Sequence, residues 1–85
     1  MRFTVVWSPQ AQDELTELWL SATNRRAVQR ATDAIDRRLK VDAHLEGRAF
    51  FEQRILAVMS VAVTYSVSVD DRLVRVLQVW SRTPQ

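Results

Sequence analysis

The chain has 85 residues, 47% of them hydrophobic, with one glycine and two prolines, which suits a single domain over residues 1–85 and argues against disorder. The formal net charge is +2, and the absence of cysteine excludes disulfides, thiolate zinc sites and a cysteine nucleophile. No apolar run approaches the ~20 residues of a membrane-spanning helix, so we expect no membrane association and a cytoplasmic location.

Arginine dominates the basic residues, with eleven arginines among twelve. The planar guanidinium suits bidentate contact with phosphates or carboxylates, which favours a polyanion or an acidic protein as partner. Genomic base composition explains the same bias equally well. The positive excess lies in residues 47–85, which hold five basic and three acidic residues, whereas residues 1–46 hold seven of each.

The first half of the chain predicts a strand followed by two helices. Residues 2–7 form a β-prone run, and Ser8-Pro9 is a typical N-cap and first-turn pair that starts a helix ending near Ala22. Asn24 is a second N-cap, and the helix after it extends to about Val41. Apolar residues recur at helical spacing in both helices: Ala11, Leu15, Leu18, Trp19 and Ala22, then Val28, Ala31, Ile35 and Leu39. The short link predicts an antiparallel helical hairpin.

The second half predicts three strands. After a loop over residues 42–47 comes a strand, AFFEQRILAVM, and residues 61–80 form a hairpin that turns at Asp70-Asp71. The resulting order β-α-α-β-β-β predicts an α+β two-layer sandwich, an antiparallel sheet covered on one face by the helical hairpin, with the first strand at an edge. The expected hairpin pairs are Val67 with Val74, Tyr65 with Val76 and Val61 with Trp80 on the core face, and Ser66 with Arg75 and Thr64 with Leu77 on the other face.

The connection between the second and third strands decides where Arg54 points. A two-residue turn at Met59-Ser60 would set Arg54 opposite Tyr65, and burial of an unpaired guanidinium costs several kcal/mol. We therefore predict a three-residue connection from Met59 to Val61. Arg54 then lies opposite Ser66 and shares the uncovered face with Arg75. On this register the side chains that point into the core are those of Phe51, Ile55, Ala57 and Met59.

The segments WSPQA, DELTELW, IDRRL, GR, RIL and VTYSVSVDDRLVRVLQV, in this order and spacing, resemble the RelE/ParE superfamily of toxins from bacterial type II toxin–antitoxin systems. The resemblance covers almost the whole chain. It implies the same α+β fold and a cognate antitoxin as partner. RelE-like members cut mRNA on the ribosome and ParE-like members poison DNA gyrase. A toxin fold that only binds its antitoxin is a third possibility.

The resemblance implies that Arg54 and Arg75 lie around a scissile phosphate, with Arg82 in a region that carries further active residues. We add Ser66 and Arg48 as substrate-binding candidates. Glu52 is the carboxylate candidate for a general base or, equally, an ion-pair partner. The chain ends in VWSRTPQ, without the terminal Tyr or His of well-known nucleases and without the HGARD-like ending common in ParE-like members, so the target stays open.

The remaining candidates favour structural roles. His44 is expected to be an exposed loop residue, and without accompanying ligands it predicts no metal site. The sequence indicates no cofactor. Tyr65 is expected in the core with its hydroxyl at the rim, and the three tryptophans are expected to belong to the core: Trp7, Trp19 and Trp80.

Overall fold

The computed structural model describes residues 1–82, and residues 83–85 lie outside its description. The elements follow the predicted order, and the sheet has the strand order β1-β5-β4-β3-β2. Their bounds are β1 (Thr4–Trp7), α1 (Pro9–Ser21), α2 (Arg25–Lys40), β2 (Arg48–Phe50), β3 (Gln53–Val58), β4 (Val61–Ser68) and β5 (Leu73–Ser81). Both helices pack against the sheet, so the predicted two-layer α+β sandwich is confirmed. Among the described residues, no helix is both long and apolar enough to cross a membrane.

Both helices begin at the predicted caps. The Ser8 hydroxyl accepts a hydrogen bond from the Ala11 N–H at 3.1 Å, and the Asn24 side chain accepts one from the Ala27 N–H at 3.0 Å. Arg25 then closes the helical hairpin, because its guanidinium lies 4.6 Å from the centre of the Trp19 ring and donates to the Trp19 carbonyl. The prediction of a core position for Trp19 is therefore wrong, since its side chain is 38% exposed beneath Arg25.

The core forms where the stripe of α2 meets the inner face of the sheet. Its largest fully buried side chains are Tyr65, Ile35, Leu39, Val61, Val63, Val74 and Val76. Trp7 packs against this cluster, and its indole N–H lies 3.4 Å from a carboxylate oxygen of Asp36. The core positions predicted for Tyr65 and Trp7 are confirmed.

Two strand features differ from the sequence prediction. β1 lies at an edge, as expected, but pairs in parallel with β5, from Thr4 opposite Leu73 to Trp7 opposite Val76. β1 and β5 are the first and last of these strands, so the connection between the parallel partners consists of the helical hairpin and strands β2 to β4. The segment AFFEQRILAVM is not one strand, because the chain turns at residues 51–52, where Phe51 has a φ of 56°. Within residues 1–82 the sheet consequently has five strands.

The β4–β5 hairpin follows the predicted register near its turn and departs from it further away. Ser66 pairs with Arg75 and Tyr65 with Val76, as predicted. A β-bulge then accommodates one extra residue in β5, Leu77, so that Thr64 pairs with Gln78 and Val61 with Ser81. The predicted pairs of Thr64 with Leu77 and Val61 with Trp80 are therefore wrong, and Trp80 is transferred from the core face to the outer face.

The prediction for the β3–β4 connection is also wrong. Val58 pairs with Val61 across a two-residue turn, so Arg54 lies opposite Tyr65 on the face that carries the helices. Ile55 and Ala57 consequently point away from the helices. Phe51 and Met59, also expected in the core, lie at turns with 91% and 60% of their surfaces exposed.

Candidate functional site

The sheet face opposite the helices, called the uncovered face from here on, carries a set of arginines. Alternate residues of each strand point to this face, and those that are paired across neighbouring strands form rows. One row contains Ser66 and Arg75. The next contains Arg48, Ile55, Thr64 and Gln78. The third contains Ala57, Ala62 and Trp80.

A shallow depression of about 420 Å³ lies on this face, lined by Arg48, Ile55, Ala57, Ala62, Trp80 and Arg82. The small side chains of Ala57 and Ala62 leave room between the larger Ile55 and Trp80. Arg82 is brought to the rim because its N–H donates to the Ser60 carbonyl at 2.6 Å. The depression therefore combines an indole ring with two guanidinium groups.

Arg75 lies further along β5, about 16 Å from Trp80 at the ordinary rise of a strand. Its side chain is exposed beside Ser66. Within residues 1–82, none of Arg48, Arg75 and Arg82 forms an ion pair. Three guanidinium groups are thus free to bind an anion, and they are spread over a length that exceeds a single phosphate.

Arg54 has a different environment from these arginines. Its Nε donates to the Glu46 carbonyl at 2.7 Å, and its Nη2 donates to the Gly47 carbonyl at 3.3 Å. The buried Tyr65 hydroxyl donates to the same loop, at 3.0 Å from the Ala43 carbonyl and 2.8 Å from that of Glu46. Burial raises the pKa of Tyr65, and the neighbouring Arg54 opposes the rise. The sequence argument excluded an unpaired buried guanidinium, whereas this one is half-buried and paired with backbone.

The Arg54 network fixes the loop that leads into β2. Gly47 has a φ of 62°, and a Cβ at this position would clash with the Ile55 carbonyl, so the loop requires glycine here. β2 follows directly, and its first residue is Arg48. Arg54 and Tyr65 thus hold in place the segment that presents Arg48 on the opposite face.

The structure separates two further candidates from the arginines. Glu52 is exposed in the β2–β3 turn, at the end of the sheet opposite Arg82. His44 is not the exposed residue expected: it is half-buried, its ring centre lies 5.5 Å from that of Phe3, and its buried Nδ1 has no hydrogen-bond partner among the described residues. Residues 1–82 contain no group of potential metal ligands.

The uncovered face therefore brings together four of the six predicted site residues, namely Arg48, Ser66, Arg75 and Arg82, without Arg54 and Glu52. Sequence reasoning missed Trp80, because the bulge that turns it outward was not anticipated. The spacing of Val74, Val76 and Val79 contains the signal, since the step of three residues interrupts the alternation of a regular strand.

No protein-family model matches the chain, and no curated protein matches it either. Several solved structures, in contrast, are similar to the chain. The toxin–antitoxin complex RelBE2 from Mycobacterium tuberculosis superposes with a TM-score of 0.83 at 15% identity, over 99% of this chain and 95% of that one. The archaeal RelE–RelB complex from Pyrococcus horikoshii gives 0.68 at 15% identity over all of both chains. The ParDE system of P. aeruginosa gives 0.66 at 14% identity, over 96% of this chain and 98% of that one. At these identities the likeness establishes the fold.

Proposed function

We propose that this chain, which has the RelE/ParE fold, is the toxin of a type II toxin–antitoxin pair and acts on mRNA through the uncovered face. The observation that carries the proposal is the depression between Arg48 and Arg82 beside Trp80, on a face whose arginines have no ion-pair partner within residues 1–82. Guanidinium groups bind phosphate, and an exposed indole stacks on a base. Single-stranded RNA offers both groups at each nucleotide.

Cleavage of RNA through its 2′-hydroxyl requires stabilisation of a pentacovalent phosphorane that carries additional negative charge. In this proposal Arg48 and Arg82 hold the scissile phosphate and offset that charge. Arg75 and Ser66 hold a neighbouring part of the backbone. Arginine is a poor base, so the proton of the 2′-hydroxyl must go to another group. Glu52 stays the carboxylate candidate for this role, although its turn lies at the far end of the face; the ribosome is the other source of such a group.

An antitoxin is the proposed protein partner. The solved structures of similar fold are described as toxin–antitoxin complexes or as such a system, which supports this choice. The unpaired arginines favour an acidic segment of the antitoxin over the uncovered face. Neutralisation would then consist of covering the surface that otherwise contacts RNA.

A specific surface favours a second function, the poisoning of DNA gyrase. Arg26, Arg30 and Arg37 project from the exposed side of α2, and none of them forms an ion pair within the described residues. The similarity to the ParDE system supports it as well. In this alternative the helical hairpin, rather than the uncovered face, makes the essential contact.

Translating ribosomes incubated with the purified chain provide the test. We expect new mRNA 5′ ends within codons positioned in the ribosomal A site, and at least tenfold fewer of them with R48A/R82A. The control R26A/R30A removes the same charge from α2 and is expected to cleave like the unaltered chain. Intact mRNA with the unaltered chain, or equal loss of cleavage with both double variants, would refute the proposal.

A further inference from the structure

Two adjacent phenylalanines form an exposed aromatic tip at one corner of the sheet. Phe51 occupies the β2–β3 turn with 91% of its surface exposed, and Phe50 ends β2 with 48% exposed. Their ring centres lie 4.8 Å apart in an edge-to-face arrangement. The function proposed above does not use either ring.

The fold gains little from this tip. Phe51 has a φ of 56°, in the left-handed region that a bulky side chain rarely adopts, and its ring is not buried in compensation. A glycine or asparagine would make the same turn without the strain. Met59 shares this conformation, with a φ of 54°, so the feature that points to a ligand is the pair of exposed aromatic rings and not the backbone alone.

The tip is continuous with the uncovered face. Phe50 and Arg48 are two residues apart in β2, so their side chains share that face. Phe50 pairs with Gln53. Because Arg54 pairs with Tyr65, Gln53 lies level with Ser66, which pairs with Arg75. At about 4.8 Å per strand, Phe50 lies about 14 Å from Arg75 across the sheet. The aromatic tip thus has the guanidinium of Arg48 next to it along β2 and that of Arg75 across the sheet in β5.

We infer that Phe50 and Phe51 form a base-stacking platform for single-stranded RNA, and this inference rests on the function proposed above. Phe50 and Trp80 lie at diagonally opposite positions of the uncovered face. The spacing between strands and the rise along them set the two residues about 20 Å apart. Arg48 belongs to the cross-strand row that lies between the rows of Phe50 and Trp80. One strand of RNA would stack a base on Trp80, pass its phosphates over Arg48 and stack a second base on the tip. The platform therefore requires an unpaired strand of several nucleotides.

The surroundings favour RNA over an apolar protein segment. Three guanidinium groups that form no ion pair within residues 1–82 share the uncovered face with Phe50, and each is suited to a phosphate. Glu52 and Gln53 line the depression around the tip, which has a volume of about 460 Å³. Among the described residues that line this depression, only Glu52 carries a carboxylate, and it projects from the turn itself. Alternating aromatic and guanidinium groups match the alternating bases and phosphates of a single strand.

The test uses a short single-stranded RNA that carries 2-aminopurine at one position, with its 2′-hydroxyls replaced by methoxy groups to prevent cleavage. Stacking quenches the fluorescence of 2-aminopurine. With the label moved along the strand, we expect the unaltered chain to quench it at two positions, one for Trp80 and one for the aromatic tip. F50A/F51A is expected to abolish the quenching at the tip alone, with a loss of affinity of about tenfold. F50L/F51L, which keeps apolar surface without an aromatic ring, is expected to behave like the alanine variant.

M59A is the matched control, because Met59 is also exposed at a turn of the same sheet, with a φ of 54°. It should bind and quench like the unaltered chain. If F50A/F51A or F50L/F51L binds RNA and quenches normally, the platform is refuted while the proposed function stands, and a protein contact becomes the role of the tip. If the unaltered chain binds no RNA, the platform is refuted, and the proposed function is then decided separately by the mRNA ends produced on translating ribosomes. Thermal melts establish that the variants are folded.

Discussion

Arg54 shows that the cost of burying a guanidinium depends on whether the group has hydrogen-bond partners. The costs of burying a guanidinium argued against Arg54 on the helix side, and that argument holds for an unpaired group. In the structure the guanidinium donates to carbonyls of the 42–47 loop. The loop could not be anticipated as the partner, because its path depends on where α2 and β2 are placed. Arg54 thus has the environment of a structural residue, while Arg75 faces solvent.

The two arginines are predicted to differ in their effect on stability. R54M removes two charge-assisted hydrogen bonds and leaves loop carbonyls without their donor, so it should lower the free energy of unfolding by about 2 to 3 kcal/mol. Thermal denaturation would record a fall in Tm of about 10 to 20 °C. R75M removes an exposed guanidinium and should change the free energy of unfolding by less than about 0.5 kcal/mol. Equal effects would contradict the register.

Tyr65 predicts a dependence of stability on alkaline pH. Burial raises its pKa in the folded chain above the ordinary value of 10.0. The unfolded chain therefore loses the phenolic proton first as the pH rises, and the contribution of Tyr65, complete below that value, is lost above it. Urea denaturation from about pH 9 to about pH 11 should show a decline in the free energy of unfolding that is shallower in Y65F. Identical slopes for both proteins would contradict a buried hydroxyl.

At the scale of elements, the helices were predictable and the sheet register was predictable in part. Ser8 and Asn24 cap the helices at the expected positions because capping is a local interaction. The hairpin register near Asp70-Asp71 follows from a nearby turn. The bulge at Leu77 depends on contacts from distant residues: the Ser8 hydroxyl donates to the Leu77 carbonyl at 3.4 Å, and the Val79 N–H donates to Glu14 at 2.8 Å. No local pattern specifies those partners.

The hydrogen bond between Glu14 and Val79 is predicted to stabilise the packing of α1 on β5. E14A leaves the Val79 N–H without its acceptor and should cost about 1.5 to 3 kcal/mol in the free energy of unfolding. E14Q keeps an acceptor oxygen and should cost less. E17A, an exposed position on the same helix, provides the control and should be close to neutral. Chemical denaturation measures all three, and a neutral E14A would show that the bulge does not need this contact.

For the whole molecule, the fold could be predicted from the order of capped helices and strands, whereas the site could be predicted only in part. Strand parity brought Ser66 and Arg75 together from sequence alone. The grouping of Arg48, Trp80 and Arg82 required three features: the β2–β3 turn, the bulge in β5 and the contact of Arg82 with Ser60. The β2–β3 turn is local but lacks a typical turn residue, whereas the contact of Arg82 with Ser60 and those of Ser8 and Glu14 with the bulged strand join segments distant in the chain. The resulting molecule carries arginines on two opposite surfaces, the uncovered face and α2, that form no ion pair with any residue the structure describes.

Growth after induction of the chain alone, without an antitoxin, separates these two surfaces most directly. The unaltered chain and R26A/R30A/R37A are predicted to arrest growth and to produce cleaved mRNA, because the uncovered face is intact in both. R48A/R75A/R82A removes the same number of arginines from that face and is predicted to permit growth at an equal protein level. Growth arrest by R48A/R75A/R82A together with growth of R26A/R30A/R37A would contradict the account and assign toxicity to the helical surface.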